Sequence, residues 1–171
     1  MAEDLLARHL DRLNEIKKFL EELKFEVSVI EKNDQVPLST LVTVAGKDSK
    51  EMPRILNLNL IPTSKEVVES IDLLQVVTFL NYDVVQESKN SVEKLLLAIN
   101  SRTAVGDFFI DENNKIIFRY VYVSPMSSNF VKEVVIEMLM LFVYMVEIFD
   151  PIIGPVARGE KALGAALKEL P

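Results

Sequence analysis

Residues 134–149, VVIEMLMLFVYMVEIF, constrain the fold most, because this segment is apolar on nearly every face of a helix. It is too short for a membrane span and carries Glu137 and Glu147, so we interpret it as a buried helix. Such a helix must be covered on more than one side. The cover is either the chain's own sheet together with its first helix, or a second subunit.

The first half of the chain predicts one helix followed by strands. Residues 3–24 repeat apolar side chains at three- and four-residue steps, which predicts an amphipathic helix. From Phe25 onward the repeat becomes two, and 38–46 and 54–62 continue it. We therefore expect an antiparallel meander with one wet face, formed in part by Thr43, Asn57 and Asn59.

Residues 71–84, IDLLQVVTFLNYDV, are ambiguous by periodicity. Their valines, Thr78, Phe79 and Tyr82 favour a fourth strand, with a helix as the alternative. The segment 90–100 then predicts a second helix, which Asn90 and Glu93 would open as a capping box.

The remaining elements are a hairpin and two helices. GDFFID and KIIFRYVYV flank Asn113 and Asn114, which tolerate positive φ and suit the primed turn of a hairpin. Asp150 and Pro151 are expected to end the long third helix. A short helix is expected over 161–170, in a tail (155–171) that frays unless it docks.

Composition excludes several classes of function. With 19 basic and 26 acidic residues the net charge is −7, which disfavours nucleic acid and anionic lipid as partners. The absence of cysteine excludes disulfides and thiolate sites, and fits the cytoplasm. A chain of 171 residues suits one domain.

The sequence contains no pattern typical of catalysis or of cofactor binding. HExxH, GxGxxG, GxxxxGK[ST] and GxSxG are all missing, so we expect neither metal nor cofactor nor enzymatic activity. His9 lies on the apolar stripe of the first helix and is interpreted as a core or interface residue. Asp107 and Asp111 are expected on a wet hairpin rim. Glu137 either marks an exposed stripe or pairs with Arg119 or Arg158.

Residues 92–164 carry a resemblance to a known family. LLLAINSRTAVGDFFIDENNKIIFRYVYV, a long apolar helix and IFDPIIGPVARGEKAL resemble, in order and spacing, the bacterial YbjN family, whose fold is similar to that of type III secretion chaperones. LLQVVTFLNYDV is also similar to a cyanobacterial variant. The resemblance implies an α+β fold of order α-β-β-β-(β)-α-β-β-α, in which helices pack on one face of a twisted, mainly antiparallel sheet.

The resemblance also implies a function without naming catalytic residues. Secretion chaperones of this fold are usually homodimers that hold extended segments of partner proteins, and YbjN relatives are candidate sensory or stress regulators. We therefore expect a cytoplasmic, homodimeric protein-interaction module, chaperone-like or regulatory. We therefore interpret four residues as structural rather than ligand-binding (scaffolding). Asn100 lies at the helix end, Gly106 at the entry to the strand, and Asn113 and Asn114 in the hairpin turn.

Two sets of residues are candidates for binding. The third helix offers a contact surface with adaptable methionines, although a buried core explains the same residues: Phe130, Met138, Leu141, Phe142 and Met145. The alternative function is a small-molecule sensor with a pocket between the sheet and the third helix, lined by Phe108, Ile110, Phe118 and Tyr120.

Overall fold

The computed structural model describes residues 2–48, 50–63 and 70–171, with side chains from residue 5 onward. The described helices are α1 (Ala2–Glu22), α2 (Lys89–Asn100), α3 (Lys132–Ala157) and α4 (Leu163–Ala166), and a 3-10 turn, Gln86–Ser88, precedes α2. The strands are β1 (Val27–Ile30), β2 (Thr40–Lys47), β3 (Pro53–Leu60), β4 (Ile71–Asp83), β5 (Asp107–Ile110) and β6 (Lys115–Pro125).

The six strands form one sheet of order β1-β2-β3-β4-β6-β5, and β1–β2, β3–β4 and β5–β6 pair antiparallel. This confirms the predicted α+β class and the predicted order of elements. The strand β4 (Ile71–Asp83) also confirms the strand, rather than the helix, for the segment 71–84. Within the described part of the chain, no helix is long and apolar enough to cross a membrane.

The chain forms two compact units. The first comprises Met1–Ala45, Ile55–Val77 and Val121–Leu139, and the second comprises Gly46–Arg54, Thr78–Tyr120 and Met140–Pro171. The expected single domain stays a prediction.

In the first unit, α1 provides one side of the core. Leu13, Ile16 and Leu20 are almost fully buried on α1, as their helical spacing predicts. The helix ends at Glu22, and Lys24 just beyond it is left-handed (φ 63°), so that the Phe25 amide donates to the Leu20 carbonyl (3.1 Å). This backbone geometry lets a helix stop without a glycine and turns the chain into β1.

The sheet of the first unit buries one face and leaves the other partly open. In β2, however, the alternate residues that were predicted to be exposed are the buried ones. Thr43 is 1% exposed and lies on the buried face with Leu41 and Ala45. Its hydroxyl donates to the Glu26 carbonyl at 2.9 Å, which satisfies the buried polar group. The predicted wet position of Thr43 is therefore wrong, whereas Asn57 and Asn59 do lie on the less buried face.

In the second unit, an aromatic cluster forms the core. The Phe108 and Phe118 rings lie 4.3 Å apart, and Phe118 and Phe142 lie 4.7 Å apart. Phe149 meets Phe108 edge to face at 6.0 Å. Each such pair adds about 0.5–1.5 kcal/mol beyond the area it buries. This cluster joins the β5–β6 hairpin to α3.

The hairpin turn differs from the predicted primed turn. Only one of the two asparagines, Asn114, has positive φ (59°). The Asp111 carboxylate accepts hydrogen bonds from the amides of Asn113 (2.9 Å) and Lys115 (2.7 Å), and the Asn114 amide donates to the Asp111 carbonyl. The loop is therefore a three-residue turn whose last residue is left-handed, with an aspartate supplying side-chain bonds.

Two helix boundaries also differ from the prediction. Lys89 begins α2 one residue before Asn90, which therefore lies inside the helix, and no capping box forms. The predicted end of α3 at Asp150 and Pro151 is wrong as well, because the helix continues through Pro151 and Pro155 to Ala157. Buried contacts of Ile152, Ile153 and Val156 stabilise this extension against the loss of backbone bonds at the prolines.

The tail ends in a short helix that docks. The helix α4 is shorter than the predicted 161–170, but its Ala166 is fully buried and α4 packs against α2. Lys161 Nζ also contacts both carboxylate oxygens of Glu169 at 2.8 Å. These contacts oppose fraying of the tail.

Candidate functional sites

The first predicted scaffolding residue, Asn100, lies at the end of α2 and reaches the backbone of β5. Its Nδ2 donates to the Phe108 carbonyl and its Oδ1 accepts from the Phe108 amide, both at 2.9 Å. The Asn100 side chain thus supplies to the edge strand β5 the two backbone hydrogen bonds that a neighbouring strand would otherwise make.

Gly106 enters the same strand with φ 71°. A Cβ atom there would lie 2.7 Å from the Arg119 carbonyl oxygen and 2.7 Å from the Phe118 ring. Glycine is therefore required both by conformation and by space.

The five residues predicted as an interface do not form an exposed surface. Four of them are at most 8% exposed, namely Phe130, Met138, Phe142 and Met145, and Leu141 alone reaches 36%. The interface prediction is wrong for these four, because they belong to the core. The alternative given by the sequence, a buried core, explains them.

The predicted pocket is filled by its own lining. Phe108 and Phe118 are nearly fully buried, and their rings contact each other and α3 directly. Ile110 and Tyr120 are half-buried nearby on β5 and β6. The aromatic residues expected to surround a ligand instead pack against one another, so the pocket prediction is wrong at this place.

Away from its buried core residues, α3 carries an exposed apolar stripe. We call this the α3 stripe: Met140 is 67% exposed, Tyr144 56% and Leu141 36%. These three residues are neighbours at three- and four-residue spacing, and exposed Glu137 and Glu147 flank them. Glu147 also lies 3.4 Å from the buried Arg54 guanidinium. Glu137, left open by the sequence, thus marks an exposed stripe, whereas Arg158 pairs with Glu160.

An uncharged surface lies on the open face of the first unit's sheet. Its members are uncharged and partly exposed, and the register places Asn57 opposite Val77 and Asn59 opposite Gln75. We call this the open sheet face; it comprises Val42, Val44, Asn57, Asn59, Leu73, Gln75 and Val77. A neutral face is unusual in a chain with 26% charged residues.

A buried ionic network ties α1 to β4 in the first unit. Asp72, 3% exposed, accepts from Arg8 Nη2 at 2.6 Å and from Arg12 Nε at 3.1 Å. Arg12 also donates to the Ser128 carbonyl (2.9 Å), and its guanidinium lies 3.9 Å from the Phe130 ring centroid. The network positions α1 and 124–130, and each of its two arginines has the Asp72 carboxylate as a partner charge.

His9 lies beside this network and is 6% exposed. Burial lowers its pKa, as does the positive charge of Arg8, while Asp72 acts in the opposite direction. His9 therefore stays neutral in the folded state at neutral pH, which is consistent with a core position.

An open cleft of about 380 Å³ lies along the same helix, α1. It is lined by Asp11, Arg12, Asn14, Glu15, Lys18, Phe19 and Asn129.

The second unit contains a smaller cleft, the Tyr82 cleft, of about 190 Å³. It is lined by Asp48, Lys50, Tyr82, Asp150, Pro151, Gly154, Pro155 and Arg158. The Tyr82 hydroxyl donates to Asp150 Oδ1 at 2.7 Å, and the Arg158 guanidinium lies 5.6 Å from the Tyr82 ring centroid. Tyr82 thus contacts an acidic and a basic side chain at once.

The carboxylates of this cleft have unequal environments. Burial raises the pKa of Asp150, although the hydrogen bond from Tyr82 and the charge of Arg54 oppose it. Burial alone would also raise the pKa of Asp48, but hydrogen bonds from Asn81 and from the Met52 and Lys50 amides lower it. Burial and the neighbouring Asp150 carboxylate raise the pKa of Tyr82, so it remains a hydrogen-bond donor.

Sequence reasoning missed both charged clusters, although a signal was present. Asp72 alternates in phase with Leu74 and Val76, and Arg54 with Leu56. A charged residue in the buried phase of a strand predicts a paired internal charge. Among the described residues, no group of three or more histidine or acidic side chains is placed to hold a metal ion.

Comparison with known proteins supports the fold. No protein-family model and no curated protein matches this sequence. Among solved structures, the crystal structure of YbjN from E. coli, a candidate transcription regulator, matches with a TM-score of 0.50 and 12% sequence identity. The match covers 86% of this chain and 93% of that chain. At this identity the likeness shows a shared YbjN-like fold.

Proposed function

We propose that this protein is a non-enzymatic protein-interaction module of the cytoplasm, a YbjN relative that acts as a chaperone-like or regulatory adaptor for another polypeptide. The observation that supports this proposal is the α3 stripe, where Met140 and Tyr144 are more than half exposed. Methionine and tyrosine are common in contact surfaces because one is adaptable and the other has a large amphipathic ring.

The charges around the stripe favour a basic partner. Glu137 and Glu147 lie at either end of it on the same helix. A partner helix with apolar anchors and lysine or arginine at its flanks would complement both ends. A second copy of α3 packed antiparallel would instead bring glutamates against glutamates, which disfavours self-association through this surface.

The open sheet face suits the homodimer that we also propose. Its side chains are apolar or amide groups, so two copies meet there without like-charge repulsion. The two surfaces therefore have different occupants, a second copy of the chain on the sheet and a basic polypeptide on α3.

Fluorescence anisotropy with a labelled amphipathic leucine–lysine peptide tests the α3 stripe. We expect this basic peptide to bind and a matched leucine–glutamate peptide not to bind. The double variant Met140→Ser, Tyr144→Ser should weaken binding at least about tenfold, since two apolar anchors are lost. The control Leu97→Ser, at a 75% exposed position on α2, should bind normally. Equal binding of both peptides, or of the double variant and the parent, would refute the proposal.

Sedimentation velocity tests the homodimer separately. The parent should sediment as a dimer at micromolar concentration, and Val77→Lys should produce monomer because it places like charges in the interface. A parent that is monomeric at this concentration removes the dimer while leaving the peptide result intact.

A further inference from the structure

The Tyr82 cleft contains two negative and two positive side chains. Asp48 and Asp150 supply the negative charges, and Lys50 and Arg158 supply the positive ones. A ligand with a single charge would meet two like charges in so small a space, whereas a ligand with both signs can complement both. We propose that the Tyr82 cleft binds a small zwitterion of the amino-acid class, independently of the partner surface on α3.

The acidic end of the cleft is suited to an ammonium group. Asp150 is 8% exposed, and the Tyr82 bond at 2.7 Å occupies its Oδ1 atom, so Oδ2 is not used in that bond. Burial penalises the ionised form of Asp150. A bound cation would stabilise that form, and this gain favours binding of an ammonium group.

The basic end of the cleft is suited to a carboxylate. Arg158 uses Nε and Nη2 in its bidentate pair with Glu160, both at 2.8 Å. Its third nitrogen, Nη1, lies outside that pair and beside Gly154, where a Cβ atom would be 3.0 Å away. Nη1 can donate to a ligand carboxylate, and Lys50 adds a second positive charge to the lining.

The volume limits the size of the ligand. The cleft has a volume of about 190 Å³. It lies below the range of about 300–1,000 Å³ that is typical of drug-sized ligands. Glycine, alanine and serine have the appropriate number of non-hydrogen atoms. The Tyr82 ring and the two prolines, Pro151 and Pro155, provide apolar walls for a short side chain.

Gly154 provides a variant that separates binding from folding. In Gly154→Ala the new methyl group would lie 3.0 Å from Arg158 Nη1 and 3.4 Å from the Tyr82 ring. The arginine tip is flexible and can move, so the fold should persist, and alanine is the better helix former. The methyl group nevertheless occupies the space beside Nη1. Gly164→Ala in α4 is the matched control, because nothing lies within 4 Å of its Cβ position.

Isothermal titration calorimetry on the full chain tests the proposal with glycine, L-alanine and L-serine as probes. We expect at least one to bind with a Kd on the order of 0.1–1 mM, as suits so small a ligand. Ethylamine and propionate, which each carry one of alanine's two charges, should bind at least about tenfold more weakly. Gly154→Ala should lose about tenfold or more in affinity with an unchanged or higher melting temperature, and Gly164→Ala should bind like the parent.

Three results would overturn the proposal. The first is that none of the three amino acids binds at a concentration of about ten times the upper expected Kd. The second is that ethylamine or propionate binds as tightly as L-alanine. The third is that Gly154→Ala binds the amino acids like the parent. Each leaves the cleft as a purely structural tie, in which the Tyr82–Asp150 hydrogen bond holds β4 to α3. Because α3 peptide binding uses other residues, its outcome stays independent of these measurements.

Discussion

Asn100→Ala should destabilise the protein without changing its interactions. The substitution removes two hydrogen bonds of 2.9 Å to the Phe108 backbone. Each is worth about 1 kcal/mol, and a partly buried amide left without a partner adds to the loss, so we expect about 2–3 kcal/mol. For a chain of 171 residues this corresponds to a fall in Tm of about 4–12 °C. Peptide binding at the α3 stripe should not change.

Urea unfolding followed by circular dichroism measures this loss as a lower midpoint at constant slope. Asn90→Ala is the matched control, because Asn90 lies exposed inside the same helix and makes no cap. That variant should be about 0.5 kcal/mol more stable from helix propensity alone. A loss below about 0.5 kcal/mol for Asn100→Ala, or loss of peptide binding at normal stability, would show that Asn100 is not a scaffolding residue.

Three further substitutions test the buried charges and the strand entry. Asp72→Ala removes the buried carboxylate that Arg8 and Arg12 share and leaves Arg12 only Glu15 as a partner charge, so it should cost about 3–5 kcal/mol in urea unfolding. Gly106→Ala combines φ 71° with a 2.7 Å contact and should cost about 1–3 kcal/mol by the same assay. The folded-state pKa of Asp150 is raised, so its contribution to stability falls as pH rises from the ordinary aspartate pKa through the folded one. Asp150→Asn should remove this fall in unfolding measured across acidic pH, and an unchanged slope would contradict the assignment.

Element types were predictable where residue preference agreed with the fold, even in a segment whose periodicity was ambiguous. The β4 segment became a strand because its branched and aromatic residues alternate between buried and open faces, as the observed burial pattern shows. In β2 the two alternating phases are about equally apolar, so the pattern alone could not decide which one faced the core. Thr43 was therefore assigned to the wrong face, and only the Glu26 carbonyl, distant in sequence, makes its burial possible.

Local signals were misleading where tertiary contacts outweighed them. Asn90 with Glu93 has the spacing of a capping box, but a 3-10 turn ending at Ser88 leads directly into α2 and moves its start. Pro151 is an ordinary signal for a helix end. The long apolar run continues beyond it, however, and burial of Ile152 and Ile153 compensates for the backbone bonds that the prolines remove.

The candidate sites were least predictable because each joins residues far apart in sequence. Aromatic residues of the hairpin and α3 suggested a pocket, yet large rings pack well against one another and fill such a space. The Tyr82 cleft has the opposite composition, since a glycine and two prolines on α3 leave room that no large side chain fills. In this fold an open site is therefore indicated by small residues beside charged ones, and the hydrogen bond from Tyr82 to Asp150 marks its position.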